Sequence, residues 1–190
     1  MTDASLVEQI REGDIKAFNM LVARWKTPMY NFTLRYVKDA QTAAEISQKT
    51  FIKVYQKISS LRNPEKFSSW IYRIALNYCR DEFRKKRKKP LSLDSIVSPG
   101  EDSDRCFPLP DRNAAFPDTL YKKKQIGELL SEVMTRIPEE QRVVVIMKQY
   151  QGLKFTEIAD ILNQPGNTVK SRCYYGLRKK KKKLKQLHLD

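Results

Sequence analysis

A chain of 190 residues, 41% hydrophobic and 31% charged, is long enough for one or two cored domains, and a formal net charge of +15 favours a polyanionic partner over an acidic metabolite. Cys79, Cys106 and Cys173 are too widely spaced for a zinc or redox motif, and their odd number argues against a full disulfide framework, so they read as reduced residues of a cytosolic protein. No apolar run approaches the ~20 residues that span a bilayer, and Asp3 and Glu8 stand where a secretion signal would be basic, so a soluble intracellular chain without stable membrane insertion is expected.

Residues 1–89 read as helical. Asp14 can cap a helix beginning at Ile15, with Phe18, Leu21, Val22 and Trp25 at core spacing until Pro28 forces a bend or restart, after which Met29 to Val37 continues the pattern. Asp39 can cap a helix from Ala40 whose Ile46, Thr50, Phe51, Val54 and Ile58 form one stripe and whose Glu45, Gln48, Lys49 and Lys53 stay polar. Pro64 breaks the stretch from Ser59 to Lys66. Phe67, Trp70, Ile71, Ile74, Ala75 and Tyr78 then give an amphipathic helix, on which Trp70 is expected to pack with its apolar neighbours. That helix runs into RKKRKK, Arg84 to Lys89. Six successive cations repel one another, so a phosphate backbone is the natural complement, through contacts that ignore base sequence and weaken with salt.

Composition then changes. Pro90, Pro99, Pro108, Pro110 and Pro117 prevent a continuous helix, and residues 90–120 carry a net charge of −4, against +10 for residues 1–89 and +9 for residues 121–190. The predicted fold is all-α: two small helical domains, an N-terminal one of three to four helices and a C-terminal helix-turn-helix, joined by an acidic Pro-rich linker.

In the second domain Pro138 suits the first turn of a helix, Glu139 and Glu140 suit its positive end, and Val143, Val144, Ile146 and Met147 supply its apolar surface before Tyr150 to Gly152 ends it. The run FTEIADILNQPGNTVKSRCYYGLR, Phe155 to Arg178, reads as two short helices around a breaking turn. Ile158, Ala159 and Leu162 share one face, Asn163 to Gly166 interrupts, and Val169, Cys173 and Leu177 resume an apolar face. Opposite lie Asn167, Lys170, Ser171, Tyr174 and Arg178. Polar side chains near the start of a second helix are what reading base edges in a major groove requires. The cations from Arg178 to Lys185 would hold phosphates without selecting sequence.

Taken in order, LVEQIREGDIKAFNMLVARW, QKTFIKVYQKI, FSSWIYRIALNYCRDEFRKKRKK and IPEEQRVVVIMKQYQGLKFTEIADILNQPGNTVKSR resemble the extracytoplasmic-function (ECF) group of bacterial RNA polymerase sigma factors, within the sigma-70 family. The resemblance covers both domains and leaves out the linker. It implies that residues 1–89 are sigma region 2, which binds core polymerase and recognises and melts the minus-10 element, and that residues 121–190 are region 4, which recognises the minus-35 element. The helix holding Glu45, Gln48, Lys49 and Lys53 would dock on the clamp helices of core RNA polymerase, with Phe51 and Val54 in the core. Phe67, Ser68, Tyr72, Arg73, Asn77, Arg80 and Arg84 would contact the minus-10 element, Asn77 matching the family's base-contacting asparagine. Asn167, Thr168, Lys170, Ser171, Arg172, Tyr174 and Arg178 would contact the minus-35 element, while the domain's outer face meets the polymerase flap. The implied partners are core polymerase, promoter DNA as duplex and as non-template single strand, and an anti-sigma factor.

The sequence departs from the family pattern in places. An acidic pair is reduced to Ala44 and Glu45, and an expected glutamate is Lys49. The usual turn LGxPxGTVKSR is LNQPGNTVKSR, with Asn163 at the turn, glycine at Gly166 and Lys154 in place of a serine cap. Asparagine tolerates a left-handed backbone, so the turn is expected to survive, and the Gly166-Asn167 pair to alter the preferred upstream sequence.

Enzymatic readings fare poorly. Glu101, Asp102 and Asp104 lie in the linker, where nothing fixes a metal geometry, His188 stands alone, and there is no phosphate-binding glycine loop. A non-catalytic polymerase subunit without cofactors is expected. The other class in play is a regulator that dimerises on a pseudo-palindromic duplex unaided.

Overall fold

The computed structural model describes residues 1–88, 133–134 and 136–186, with side chains through Lys85 and Lys182 in the two basic helices. The predicted linker, Cys106 and Lys89 lie outside the described residues, as do Glu101, Asp102, Asp104 and His188. Among the described residues there is no strand, as the periodicity predicts, and the helices form two compact units.

The first unit opens with α1 (Asp3–Arg11), which the periodicity left unassigned. The Thr2 hydroxyl accepts the Ser5 N–H at 3.2 Å, and Leu6, Val7 and Ile10 are buried. Helix α2 (Ile15–Val37) starts as predicted, the Asp14 carboxylate accepting the N–H groups of Lys16 at 2.7 Å and Ala17 at 3.3 Å. It does not restart at Pro28, which lies inside the helix. Proline inside a helix costs about 3 kcal/mol, whereas Leu21, Met29 and Phe32, all fully buried on this helix, are worth about 1.5–3 kcal/mol each. Tertiary burial therefore outweighs the local break. The helix ends at Lys38, whose left-handed backbone (φ 60°) lets its N–H reach the Leu34 carbonyl at 2.8 Å.

Helix α3 (Ala40–Lys57) begins at its predicted cap, with Asp39 accepting the Thr42 N–H at 2.7 Å. Ile46, Thr50, Val54 and Ile58 are buried as expected, and Phe51 is half-buried. Thr33 ties α2 to α3. Its hydroxyl lies 3.1 Å from the Ala43 carbonyl and 3.0 Å from the Ser47 hydroxyl, so both buried hydroxyls are satisfied where the helices meet.

Two 3₁₀ turns, Ile58–Ser60 and Pro64–Lys66, lead into α4 (Phe67–Lys88). Its inner side meets α2 through edge-to-face aromatic contacts. Trp25 meets Phe67 and Tyr72 with centroids 5.7 Å apart in each case, Phe32 meets Tyr72 at 5.2 Å, and Tyr36 meets Phe83 at 5.5 Å. The Trp25 indole N–H donates to Asp3 at 3.1 Å, so the partly buried indole is satisfied. Cys79 lies in this interior, and burial pushes its thiol pKa up to about 12, which keeps it protonated and inert.

In the second unit α5 (Glu139–Val145) starts one residue later than predicted, because Pro138 precedes the first turn and does not occupy it. It continues as a π-helical turn, Ile146–Tyr150, and the chain reverses at Gly152 (φ 68°), with the Leu153 N–H donating to the Met147 carbonyl at 3.2 Å. Then come α6 (Phe155–Leu162) and α7 (Gly166–Gln186). On α6 the buried pair is Ile158 and Ile161, while Ala159 and Leu162 are half-buried, so the apolar stripe is rotated slightly from its predicted position. With Lys154 in place of serine, half of a capping box remains: Glu157 reaches back to accept the Lys154 N–H at 2.7 Å. Asn163 takes the left-handed conformation expected of the turn (φ 51°).

On α7, Val169 and Cys173 are buried and Leu177 is half-buried. Burial raises the Cys173 thiol pKa against the opposing pull of Lys148. Gly176 is the contact point with α5: a Cβ there would lie 2.8 Å from Val145 Cγ2 and 3.3 Å from the Gln141 carbonyl oxygen. Gly176→Ala is therefore expected to destabilise this unit by about 1–3 kcal/mol, read as a lower urea midpoint. A neutral effect would show that the α5–α7 contact yields easily.

Candidate nucleic-acid interface

A helix of 3.6 residues per turn puts residues 70, 73, 77, 80 and 84 along one side of α4. Asn77, Arg73 and Arg84 are exposed there, and Trp70 and Arg80 are half-buried. Arg84 pairs with Asp81 at 3.3 Å across an exposed turn, a contact worth little in water and readily exchanged for a phosphate. Two arginines, an amide and an indole thus share one side of a single rigid helix with Arg80.

Two sequence-stated candidates do not belong to that side. Phe67 is 0% exposed and Tyr72 is 2% exposed, both locked against Trp25. Their positions fall on the inner arc with Ile71, Ala75 and Cys79, so neither can touch a base in this conformation. Trp70 is the reverse case: it is half-buried, outside the core, and in register with Asn77. The aromatic group that the sequence reading placed inside is the one on the polar side. Ser68 is half-buried at the start of α4, on the opposite side from Asn77.

On α7 the predicted stripe is exposed at Asn167, Lys170, Ser171, Tyr174 and Arg178, with Tyr174 65% exposed. Thr168 is half-buried and its carbonyl accepts the Ser171 hydroxyl at 2.9 Å. Sequence reasoning missed Tyr175, whose ring lies 5.9 Å from that of Tyr174 in an edge-on pair at the surface. The consecutive tyrosines were the available signal, since Gly176 takes the inward position that follows them.

Arg172 has a different place from its neighbours. It is half-buried, bonded to the Gln164 side chain and ion-paired with Glu140 at 2.6 Å, so it ties the start of α7 to the first turn of α5. Lys148 donates to the Leu153 carbonyl at 3.1 Å and lies 4.9 Å from the Phe155 ring centroid, bracing the loop before α6.

The outer side of α3 presents Glu45, Gln48 and Lys49, all exposed, with Lys53 also accessible to solvent. Glu45 and Lys49 are 3.6 Å apart across one turn. At the centre of this polar side stands Ile52, 50% exposed, and beside it Tyr55, 56% exposed and set edge-on to Phe18 at 5.0 Å. Neither was singled out in the sequence, because both lie outside the apolar stripe, Ile52 among the polar residues and Tyr55 at their edge. Among the described residues no cluster of His, Cys, Asp and Glu could hold a metal ion, and no helix is long and apolar enough to cross a membrane.

These sites define an all-helical nucleic-acid-binding class, with cationic and amide-bearing helices in two units, one of them a helix-turn-helix. Comparison with known proteins gives the family. Residues 21–89 match the model for sigma-70 region 2, and residues 127–179 match the model for sigma-70 region 4. The ECF RNA polymerase sigma-E factor of Escherichia coli is 30% identical over 174 residues, covering 92% of this chain and 90% of that protein. The RNA polymerase sigma-H factor of Pseudomonas aeruginosa is 28% identical over 90% of this chain and 88% of its own length. The fold is similar to CnrH, solved with the cytosolic domain of CnrY (TM-score 0.70, 18% identity, 97% of each chain). It is also similar to the Bartonella quintana sigma factor RpoE, solved with the anti-sigma factor NepR (TM-score 0.69, 16% identity, 90% of this chain and 98% of that one).

The chain belongs to the sigma-70 family, in its ECF group. It is a non-catalytic specificity subunit that acts with RNA polymerase in promoter recognition and transcription initiation.

The pairing of Arg172 separates positioning from contact. Arg172→Gln is expected to lower stability by about 0.5–1 kcal/mol at low salt, measured by thermal melting. Lys170→Gln should leave the melting curve unchanged while weakening DNA binding. Equal melting behaviour of the two variants would remove the bracing role.

Proposed function

We propose that α4 captures the unpaired non-template strand of the minus-10 element while α7 reads the minus-35 duplex. The observation that carries this reading is the single side of α4 bearing Trp70, Arg73, Asn77, Arg80 and Arg84. Strand separation without ATP hydrolysis has to be offset by stacking unpaired bases on aromatic groups and holding the backbone on cations, and each stacked base is worth about 1–3 kcal/mol. Asn77 offers a donor and an acceptor for a base edge, Trp70 a ring, and the arginines a phosphate track that continues into the basic run ending at Lys89. Phe67 and Tyr72 support this surface from beneath. Ser68 remains a candidate through the turn that starts α4.

In the second unit Asn167, Lys170 and Ser171 face the bases, while Tyr174 and Arg178 reach sugar and phosphate at the groove rim. Thr168 borders the contact, and Arg172 sets the angle of the helix. The outer side of α3 docks on the clamp helices of core polymerase, with Ile52 and Tyr55 as the apolar centre inside a rim of Glu45, Gln48, Lys49 and Lys53. Anchored interfaces have this form. The functional boundaries are residues 1–89, a 90–120 tether and residues 121–190. The protein acts in the cytoplasm. One fold neighbour was solved with an anti-sigma factor, which supports such a protein as a further partner of this chain.

Two variants separate the functions in transcription assays with core polymerase. Asn77→Ala and Trp70→Ala should each reduce open-complex formation by roughly 10- to 100-fold with core binding retained. Ile52→Asp should abolish co-purification with core while leaving the fold intact. Unchanged opening by Asn77→Ala would remove that residue from the site, and unaided binding of a pseudo-palindromic duplex by the free chain would favour a stand-alone regulator.

A further inference from the structure

Helix α7 is longer than the motif to which it belongs. It runs for 21 residues, Gly166–Gln186, whereas the region 4 match stops at residue 179. At 1.5 Å per residue, Lys181 and Lys182 stand roughly 21–23 Å along the axis from Asn167, nearly twice the roughly 12 Å width of a major groove. With Asn167 against base edges, both lysines lie past the phosphate rim. The region they reach is the neighbouring backbone, beyond the base pairs being read.

The direction of these side chains is set independently. A rotation of about 100° per residue puts Lys181 and Lys182 on the same side of the helix, flanking on either hand the arc that holds Asn167, Ser171, Tyr174 and Arg178, and both are exposed. Lys180 marks the opposite side: it is half-buried, with its ammonium 5.7 Å from the Tyr150 ring centroid, so the extension is held against its own unit. No acidic residue occurs anywhere on α7. Like charges one turn apart, such as Arg178 and Lys182, each cost about 0.2–0.5 kcal/mol in a free helix, a cost that a phosphate removes.

We propose that Lys181 and Lys182 form a second, sequence-independent phosphate clamp on the duplex flanking the element that the first half of α7 reads. This rests on α7 being the recognition helix. An anionic lipid surface would also attract lysines, but it would not require them to share a side of the helix with Asn167 and Ser171, which is why duplex DNA is the assigned ligand.

The test uses holoenzyme reconstituted from the full chain and core polymerase. Binding is titrated on promoter fragments that end flush with the upstream element or extend beyond it on either side, over a range of salt. On the extended fragment, the double substitution K181Q and K182Q should weaken binding roughly three- to tenfold at low salt and make the slope of log affinity against log salt shallower by about 2. Its preference among upstream sequences should be unchanged, and on the flush fragment it should match the parent. An equal loss on both fragments, or an unchanged slope, overturns the clamp. Loss of binding to phosphatidylserine vesicles with no change on DNA would transfer the site to a membrane. A parent holoenzyme indifferent to the upstream element would instead overturn the recognition-helix reading itself, and the clamp with it.

Discussion

The first unit depends on the edge-to-face aromatic packing between α2 and α4. Trp25 meets Phe67 and Tyr72, Phe32 meets Tyr72, and Tyr36 meets Phe83, so contacts recur along much of the described length of α4. Each such pair contributes about 0.5–1.5 kcal/mol beyond its buried area, but the functional consequence is rotational. Edge-to-face geometry is sensitive to the angle of each ring, and rings fixed at positions 67, 72 and 83 leave α4 one rotation about its axis. That rotation turns Asn77 and Arg73 outward. A helix free to roll by one residue, about 100°, would replace Asn77 with Leu76 or Tyr78 and lose the site.

The second unit reaches the same end by close approach. Gly176 allows α7 to lie against Val145 and the Gln141 backbone, and Arg172 joins Glu140 and Gln164 on the flank of the contact. A glycine in a helix interior costs roughly 0.5–1 kcal/mol relative to alanine, so its presence at a buried position reflects the space available. The helix is stabilised along its inner side by packing and left free of acids on its outer side. Neutralisation of that outer side falls to a partner, which makes the binding surface and the electrostatically costly surface one and the same.

Much of this was legible from local chemistry. Asp14 and Asp39 announce their helices because a carboxylate at the N-cap satisfies amides that nothing else can, and each accepts the amide expected of it. Asn163 marks the turn because few residues adopt a positive φ cheaply. Features that depend on tertiary contacts were harder to read. Pro28 read as a bend or restart because its local cost is visible in sequence and the burial of Met29 and Phe32 is not. Trp70 and Tyr72 were assigned to the wrong sides of α4 for a related reason. Both are aromatic and only two positions apart, and the side each occupies follows from where Trp25 and Phe32 lie on another helix. Ile52 and Tyr55 escaped notice because exposed apolar groups carry no periodic signal of their own.

The division between Tyr72 and Trp70 also explains how a small unit can present an aromatic surface without collapsing it. An indole on a flexible loop would bury itself against the nearest apolar surface, and that burial would have to be undone before a base could stack. On α4 the apolar space beneath is already filled by Phe67 and Tyr72, with the Phe67 ring 6.1 Å from that of Trp70. Trp70 therefore has the support of a ring already fixed in the core. Filling the core with one set of aromatic rings keeps the next ring available, and the stacking energy of about 1–3 kcal/mol per base can go into holding DNA open and not into rearranging the protein.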